Sequence, residues 1–300
     1  MVQTVLILGA SGKIGRHAAA AFGQAGWNVR LYDRPRGDMT AQAQGAQVIV
    51  NGLNPPAYHA WDRLIPEITE QVITAAKASG ATVIIPGNVY NFGDQPGEWG
   101  PDTPHRPVAR KGRIRETMER RFEASGVQTI VLRGGDFISG TPTGDDVMGA
   151  LYLRAFTKGR ITAPADPDTM HAFCYLPDWA KAARLLAEKR ADLRAFTDLT
   201  IGGANFTVNE IKTGLEALTG TPLKVTRFPW WALTLAAPFW ELARELREMR
   251  YLYDTPHSLS DTALRAMLPE FVPTPREAVL RAMLPRDVHP HEAMAEHRHA

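Results

Sequence analysis

The chain has 300 residues, of which 44% are hydrophobic and 22% are charged, and its formal net charge is +2. This composition is typical of a soluble globular protein whose hydrophobic core is large enough to fold without disulfides or structural metals. The small net charge argues against nucleic acid as a partner. No apolar run reaches the roughly 20 residues of a membrane span, and no signal peptide is visible, so we expect a cytoplasmic protein without membrane contacts.

The first half of the chain alternates short apolar runs with helical patterns. Strands are predicted at residues 5–8, 28–32, 48–50, 82–85 and 127–132, and helices at 14–25, 61–79 and 111–125. Runs without polar alternation indicate strands that are buried on both faces, as in a parallel sheet. The pattern predicts an α/β fold with a doubly wound, Rossmann-type sheet, whose strands end at one ligand-binding edge.

The second half is more mixed and predicts a smaller α/β substrate-binding domain. Helices are predicted at 147–157, 178–188, 208–219 and 276–283, and a strand at 199–202. Thr207 and Glu210 are spaced as a capping box for the third of these helices. We expect a Rossmann domain of residues 1–140, to which 175–203 return, a substrate domain of 141–174 and 204–285, and a disordered tail at 286–300.

A glycine-rich turn follows the first predicted strand and opens a helix. Gly9, Gly12 and Gly15 have the spacing G-x-x-G-x-x-G. Glycines allow a tight turn and a close approach of the backbone to a pyrophosphate, which the N–H groups of the helix start can bind. The turn therefore predicts a dinucleotide site, with further contacts from its other residues: Ser11, Lys13 and Ile14.

The residues after the second strand bear on the choice of cofactor. Asp33 stands where a carboxylate accepts hydrogen bonds from the adenosine ribose, which favours NAD. Arg34 and Arg36 follow at once, and an arginine there can hold the 2′-phosphate of NADP instead. The sequence is therefore compatible with NAD and with NADP, and it favours NAD slightly.

Several segments in order resemble the extended short-chain dehydrogenase/reductase family, in its NAD-dependent epimerase/dehydratase branch. Besides the glycine turn, these segments are residues 86–93, 132–137, 173–180 and 199–211. The resemblance implies a nicotinamide dinucleotide and a substrate such as a nucleotide sugar or another small carbonyl or alcohol compound.

The catalytic residues that the resemblance implies are incomplete. The family pairs a Tyr with a Lys four residues later; Lys111 is interpreted as that lysine, but Pro107 stands in the tyrosine position. Asn88 replaces the family's Ser or Thr, and an amide cannot act as an acid. We therefore expect Lys111 to bind the nicotinamide ribose, and Lys111, Asn88 and Tyr90 to form the catalytic set. Other protic groups that remain open are Tyr58, His59 and His105.

A second departure is the short connection between Asp33 and residue 48. It predicts that strand three of the Rossmann order is missing or reduced to a loop, which leaves the second strand at the edge. Alternatively, residues 48–50 are themselves strand three. Asn51, in the turn that follows them, is expected beside the cofactor.

Other features carry weaker signals. No metal site is predicted. Cys174 is the single cysteine, and His171 nearby leaves a catalytic thiol open, although a buried structural residue is favoured. The aromatic segment 228–240 is interpreted as domain core, an apolar substrate wall or a dimer contact, so a homodimer stays open.

Three functions follow from these patterns. The favoured one is an NAD(P)-dependent oxidoreductase or epimerase/dehydratase-like enzyme with an atypical active site. A non-catalytic NAD(P)-binding sensor or regulator is the alternative, and an interaction protein without cofactor is the third. The fold does not decide among them.

Overall fold

A computed structural model describes residues 2–140 and 146–284 of the chain. The strands are β1 Thr4–Leu8, β2 Asn28–Leu31, β3 Val48–Asn51, β4 Thr82–Gly87, β5 Gly97–Trp99, β6 Thr129–Arg133, β7 Asp136–Ile138, β8 Arg160–Ala163, β9 His171–Tyr175, β10 Phe196–Thr200, β11 Ala204–Phe206, β12 Lys224–Arg227 and β13 His257–Leu259. The helices are α1 Lys13–Gln24, α2 Met39–Ala43, α3 Trp61–Ser79, α4 Arg110–Ala124, α5 Leu176–Glu188, α6 Val208–Thr219, α7 Trp230–Ala236, α8 Glu241–Glu248, α9 Arg250–Asp254, α10 Thr262–Met267 and α11 Arg276–Met283.

The central sheet is parallel and, within the described residues, has six strands in the order β10-β6-β4-β3-β1-β2. The predicted α/β class with a doubly wound parallel sheet is confirmed. Strand order reverses at β1, which has β2 on one side and β3 on the other. In open α/β sheets ligands bind beyond the strand ends at such a point.

The strand at residues 48–51 is not strand three of the Rossmann order. It pairs with β1 on the side opposite β2, with Val5 beside Val48 and Leu8 beside Asn51. Between β2 and β3 the described chain forms α2 and turns, without another strand. The alternative assignment of 48–50 is therefore wrong, and β2 is left as an edge strand.

Two apolar layers cover the faces of this sheet. One layer packs α1 and α5 on it through Ala18, Phe22 and Trp179. The other packs α3 and α4 through Val72 and Phe122. Burial of both faces explains why the inner strands β1, β3 and β4 are largely apolar, and it fixes the position of their carboxyl ends at one edge of the sheet.

Two predicted elements differ in the structure. Residues 147–157 do not form one α-helix, because Met148–Tyr152 makes a π-helical turn and Phe156–Lys158 a separate 3₁₀ turn. The strand predicted at 199–202 spans Phe196–Thr200 instead. The tail at 286–300 lies outside the described residues, and the division into two domains stays a prediction.

Beneath the sheet edge, Arg133 joins the ends of three elements. Its side chain is fully buried and contacts Glu119 on α4 at 2.9 Å and Asp198 on β10 at 2.5 Å. His105 lies near both carboxylates, and these three residues have the donor types of a metal site. Because the guanidinium already occupies both carboxylates, we read the cluster as a structural network.

Substitution of Arg133 by Met should destabilise the protein by about 3–5 kcal/mol, because it leaves two buried carboxylates without a countercharge. Chemical denaturation at neutral pH would measure this cost. Arg63→Met, which removes an arginine from an exposed pair within α3, is the matched control and should cost less than about 1 kcal/mol. Equal costs for the two variants would contradict the network.

Candidate functional site

The glycine turn joins β1 to α1 and packs tightly against the turn after β3. Gly9 has a φ of +71°, and a Cβ there would lie 2.7 Å from the carbonyl oxygen of Gly52. A Cβ on Gly15 would clash with the Gly9 carbonyl. These two glycines are thus required by backbone packing.

Gly12 differs, because it is open on one side. It precedes α1 with a φ of −79°, no side chain caps the helix there, and a Cβ would meet only the Gly9 carbonyl oxygen at 3.2 Å. Beyond it lies a cavity of ≈ 430 Å³, the glycine-turn cavity. It is lined by Gly12, Lys13, Ile14, Gly52, Leu53, Asn54, Ala57, Tyr58, Trp61, Pro86, Asn88, Val89, Tyr90, Arg115, Gly135, Asp136, Phe137 and Val147. The start of a 12-residue helix therefore opens on this space with its positive dipole end.

A second cavity extends the site toward β2. This β2-side cavity of ≈ 420 Å³ is lined by Tyr32, Arg34, Met39, Leu53, Asn54, Pro55, Pro56, Leu64, Glu67, Ile68 and Gln71. Leu53 and Asn54 line both cavities, so the two form one trough along the sheet edge. A trough of this kind across the switch point fits an extended dinucleotide.

Besides Gly9 and Gly15, the predicted cofactor residues Ser11, Asp33 and Asn51 are not among those that line the trough. Ser11 is exposed. Asp33, at the end of β2, pairs with Arg36 at 2.9 Å, and both side chains are largely exposed. Asn51 is buried, and its Oδ1 accepts a hydrogen bond from the Leu53 N–H at 3.2 Å, so that it shapes the turn rather than faces the space.

At the other end, the glycine-turn cavity adjoins a third cavity of ≈ 330 Å³, the apolar cavity. It is lined by Tyr58, Tyr90, Asp136, Asp146, Val147, Ala150, Leu151, His171, Phe228, Trp230, Leu233, Leu242, Leu246, Met249, Leu252 and Tyr253. Tyr58, Tyr90, Asp136 and Val147 line both cavities and define their junction.

The junction carries a pair of phenols. The hydroxyls of Tyr58 and Tyr90 lie 3.4 Å apart. Burial, followed by the proximity of Tyr58, raises the pKa of Tyr90 well above its ordinary value, and burial also raises the pKa of Tyr58. Both phenols therefore keep their protons near neutral pH, so they can donate hydrogen bonds but do not serve as bases.

The junction also carries a carboxylate that a histidine orients. Asp136 begins β7, and its Oδ2 lies 3.0 Å from Nε2 of His171, the first residue of β9. The two strands are paired in parallel, which fixes this geometry. A carboxylate only accepts hydrogen bonds, so with Asp136 ionised His171 donates from Nε2. The arrangement can accept a proton at Asp136 and stabilise the charge there.

Asn88 lies at the cavity wall and has a local structural role as well. Its Oδ1 accepts a hydrogen bond from the Tyr90 N–H at 3.0 Å, and its carbonyl accepts one from Arg133 at 2.7 Å. Asn88 thereby fixes the turn that carries Tyr90 into the junction.

The structure does not bring Lys111 to the trough. Its side chain is fully buried, and Nζ contacts Glu245 and lies 2.6 Å from Glu248, both on α8. It is in the first turn of α4 and also lies 5.0 Å from the centre of the Tyr58 ring. Lys111 thus joins α4 to α8 beneath the junction, which differs from the predicted contact with a ribose.

Replacing Lys111 with Met should therefore lower stability by about 3 kcal/mol, because Glu245 and Glu248 lose their buried countercharge. Burial alone would raise the pKa of Glu248, but hydrogen bonds to Lys111 outweigh it and lower that pKa below its usual 4.5. The stabilisation is therefore present above pH 4.5 and is lost as the pH falls through the lowered value. Chemical denaturation at pH 7 and at acidic pH measures the difference in the free energy of unfolding between wild type and Lys111→Met, and this difference should be smaller at acidic pH. A cost independent of pH would contradict this role.

Arg115 is the cation of α4 that reaches the trough, and the sequence interpretation missed it. It follows Lys111 by four residues, one helical turn further on, and the i, i+4 spacing was the available signal. Its side chain is buried, lies 4.6 Å from the Trp61 ring centre, and donates to Asn54 Oδ1 at 2.8 Å. A rigidly held guanidinium in this wall can hydrogen-bond a ribose or a phosphate.

Cys174 takes no part in the site. It is buried in the core, where burial, followed by the nearby Asp178, raises the pKa of its thiol well above its ordinary value. A thiol that keeps its proton is not a nucleophile. His171, its proposed partner, is paired with Asp136 instead.

The structure is similar to several solved structures over nearly the whole length of both chains. MoeE5 in complex with UDP-glucose and NAD is 17% identical, with a TM-score of 0.72 over 93% of this chain and 97% of that chain. UDP-glucose 4-epimerase from Brucella ovis in complex with NAD is also 17% identical, with a TM-score of 0.70 over 94% and 97%. UDP-glucuronic acid 4-epimerase from Bacillus cereus in complex with NAD is 14% identical, with a TM-score of 0.72 over 93% and 97%.

The chain therefore has the fold of these three NAD-bound proteins over nearly its whole length, and the predicted resemblance is confirmed at the level of the fold. No model of a protein family matches the sequence, and no curated protein matches it. In the described part of the chain, no helix has both the length and the apolar character needed to cross a membrane.

Proposed function

We propose that the protein is an NAD-dependent oxidoreductase of the epimerase/dehydratase type that acts on a small alcohol or carbonyl compound with an atypical proton-transfer group. The observation that carries the proposal is the continuous path from the open Gly12 to Asp136. One trough runs from β2 past the start of α1 to the junction, where a separate cavity begins.

The residues of the trough fit a dinucleotide. Gly12 has no side chain that would project into the glycine-turn cavity. Lys13 and Arg115 are the basic residues in the wall of this cavity. The start of α1 would hold the two phosphates of the dinucleotide, and the adenosine would lie against Tyr32 and Met39 in the β2-side cavity. The solved neighbours hold NAD, which favours the same cofactor here.

A bound nicotinamide would supply hydride transfer, and the chain must handle the accompanying proton. Tyr90 and Tyr58 keep their protons, so they donate hydrogen bonds to the substrate oxygen and do not act as the base. Asp136 is the carboxylate that lines both the glycine-turn cavity and the apolar cavity, and we assign it the proton transfer. His171 positions that carboxylate, and Asn88 positions Tyr90.

Calorimetric titration with NAD, NADH, NADP and NADPH tests the cofactor. We expect NAD and NADH to bind, and NADP and NADPH to bind more weakly. Arg34 lines the β2-side cavity. If Arg34 binds the 2′-phosphate, Arg34→Ala should weaken the binding of NADP and leave the affinity for NAD unchanged. Failure of all four nucleotides to bind would overturn the proposed function.

Binding without turnover would favour a non-catalytic sensor, the alternative that the sequence leaves open. A homodimer, a cytoplasmic location and the two-domain division remain predictions.

A further inference from the structure

The walls of the two adjoining cavities differ sharply in charge. The glycine-turn cavity has Lys13 and Arg115 in its wall. Among the described residues that line the apolar cavity, none is Lys or Arg, and besides three tyrosines the ionisable groups are Asp136, Asp146 and His171. The basic residues on the cofactor side of the junction would attract a phosphate group, and the carboxylates on the other side would repel it.

Both carboxylates of the apolar cavity are held in place by hydrogen bonds. Asp146 Oδ2 accepts from the N–H and the hydroxyl of Ser139 at 2.7 and 2.8 Å, and its Oδ1 accepts from the Gly149 N–H at 2.9 Å. Asp136 is tied to His171 at 3.0 Å. Two fixed anions beside a space of ≈ 330 Å³ disfavour an anionic ligand.

The remaining wall is built from the aromatic segment and the helices after it. Phe228, Trp230 and Leu233 line one side, and the Trp230 indole N–H donates to the Pro164 carbonyl at 2.6 Å, which fixes that ring. Leu242 and Leu246 of α8 line another side. Arg154 and Arg250 lie over the rings of Phe228 and Trp230, at 5.4 and 5.7 Å from the ring centres, but they are not lining residues.

We propose that the apolar cavity binds an uncharged, largely apolar alcohol or ketone, whose single polar group meets Asp136 and the Tyr58–Tyr90 pair, and that it does not bind a nucleotide sugar. The assignment rests on the proposed function, and it differs from the UDP-sugars found in the solved neighbours. The volume is at the small end of the about 300–1,000 Å³ range of ligand pockets, which suits a compact molecule.

The test is a calorimetric titration of the full chain, with and without saturating NAD, by two probes of the same skeleton. These are 3-phenylpropan-1-ol and 3-phenylpropanoate, which differ chiefly in charge, and UDP-glucose is the third probe. We expect the alcohol to bind at least about tenfold more tightly than the carboxylate because of the two fixed anions, and UDP-glucose not to bind.

Two variants of α7 locate the binding. Leu233 lines the cavity, whereas Leu235 on the same helix is 69% exposed. Leu233→Trp should fill the cavity and abolish binding of the alcohol, and Leu235→Trp should leave it unchanged. Asp136→Asn removes one of the anions and should reduce the discrimination against the carboxylate.

The results separate the two proposals. Binding of the alcohol without binding of NAD would support the cavity assignment and overturn the proposed function. Binding of NAD together with UDP-glucose, and not the alcohol, would overturn the cavity assignment alone. Equal loss of alcohol binding in the Leu233 and Leu235 variants would also overturn it, provided that circular dichroism shows both to be folded.

Discussion

Gly12→Asp is expected to weaken NAD binding by at least about 100-fold, because it places a negative charge where two phosphates would meet the start of α1. The structure makes this an informative substitution. The φ of Gly12 is −79°, which any residue adopts, and the nearest atom to a Cβ is 3.2 Å away. Aspartate is also a favourable residue before a helix, so the fold should be retained or slightly stabilised. Calorimetry with NAD and a thermal melt of the same sample measure both effects.

Gly23→Asp is the matched control, because it adds the same charge to the other end of α1. Gly23 is exposed, and a Cβ there would be in ordinary contact with Val29 at 3.8 Å. NAD affinity should remain within about twofold of wild type, because a dipole effect is confined to one helix end. If Gly12→Asp bound NAD as well as this control does, the glycine turn would not be the phosphate site.

Asp136→Asn is expected to lower kcat by about 10²–10⁴-fold, the usual range for loss of a group that transfers a proton. Asparagine preserves the shape but cannot accept the proton, and the trough that holds the cofactor is otherwise unchanged. The measurement is NADH formation from NAD with 3-phenylpropan-1-ol, cyclohexanol and benzyl alcohol, together with the affinity for NAD, which should stay the same.

Asp254→Asn is the control for this variant. Asp254 lies on α9, pairs with Arg250 at 3.4 Å and is largely exposed, so the same charge is removed outside the cavity. Its kcat should equal that of wild type. Undiminished turnover in Asp136→Asn would exclude Asp136 as the proton acceptor, and absence of turnover by wild type with every alcohol would count against the enzymatic function.

The local patterns in the sequence were sufficient for the parts of the fold that depend on neighbouring residues. The glycine turn, helix α3 at Trp61–Ser79 and the capping box of α6 follow from spacing within a few positions. The side chain of Thr207 does accept from Glu210 N–H, as its position before the helix predicts. These features depend on short-range hydrogen bonds and periodicity, which a single sequence records directly.

The contacts that local patterns do not reveal depend on residues far apart in the chain. The sequence predicts Lys111 at the ribose, whereas in the structure its partners Glu245 and Glu248 lie on a helix more than 130 positions away. The i, i+4 spacing puts Lys111 and Arg115 on one face of α4, and the local pattern does not show which of the two reaches the trough. The Asp136–His171 pair likewise arises only because β7 and β9 are adjacent.

A crystal structure of the protein with NAD tests most directly whether a dinucleotide lies in the trough from the glycine turn to Asp136. We expect electron density for the two phosphates at Gly12 and for the nicotinamide at the junction of Tyr90 and Asp136. A dinucleotide bound elsewhere, or bound with its nicotinamide away from Asp136, would contradict this expectation.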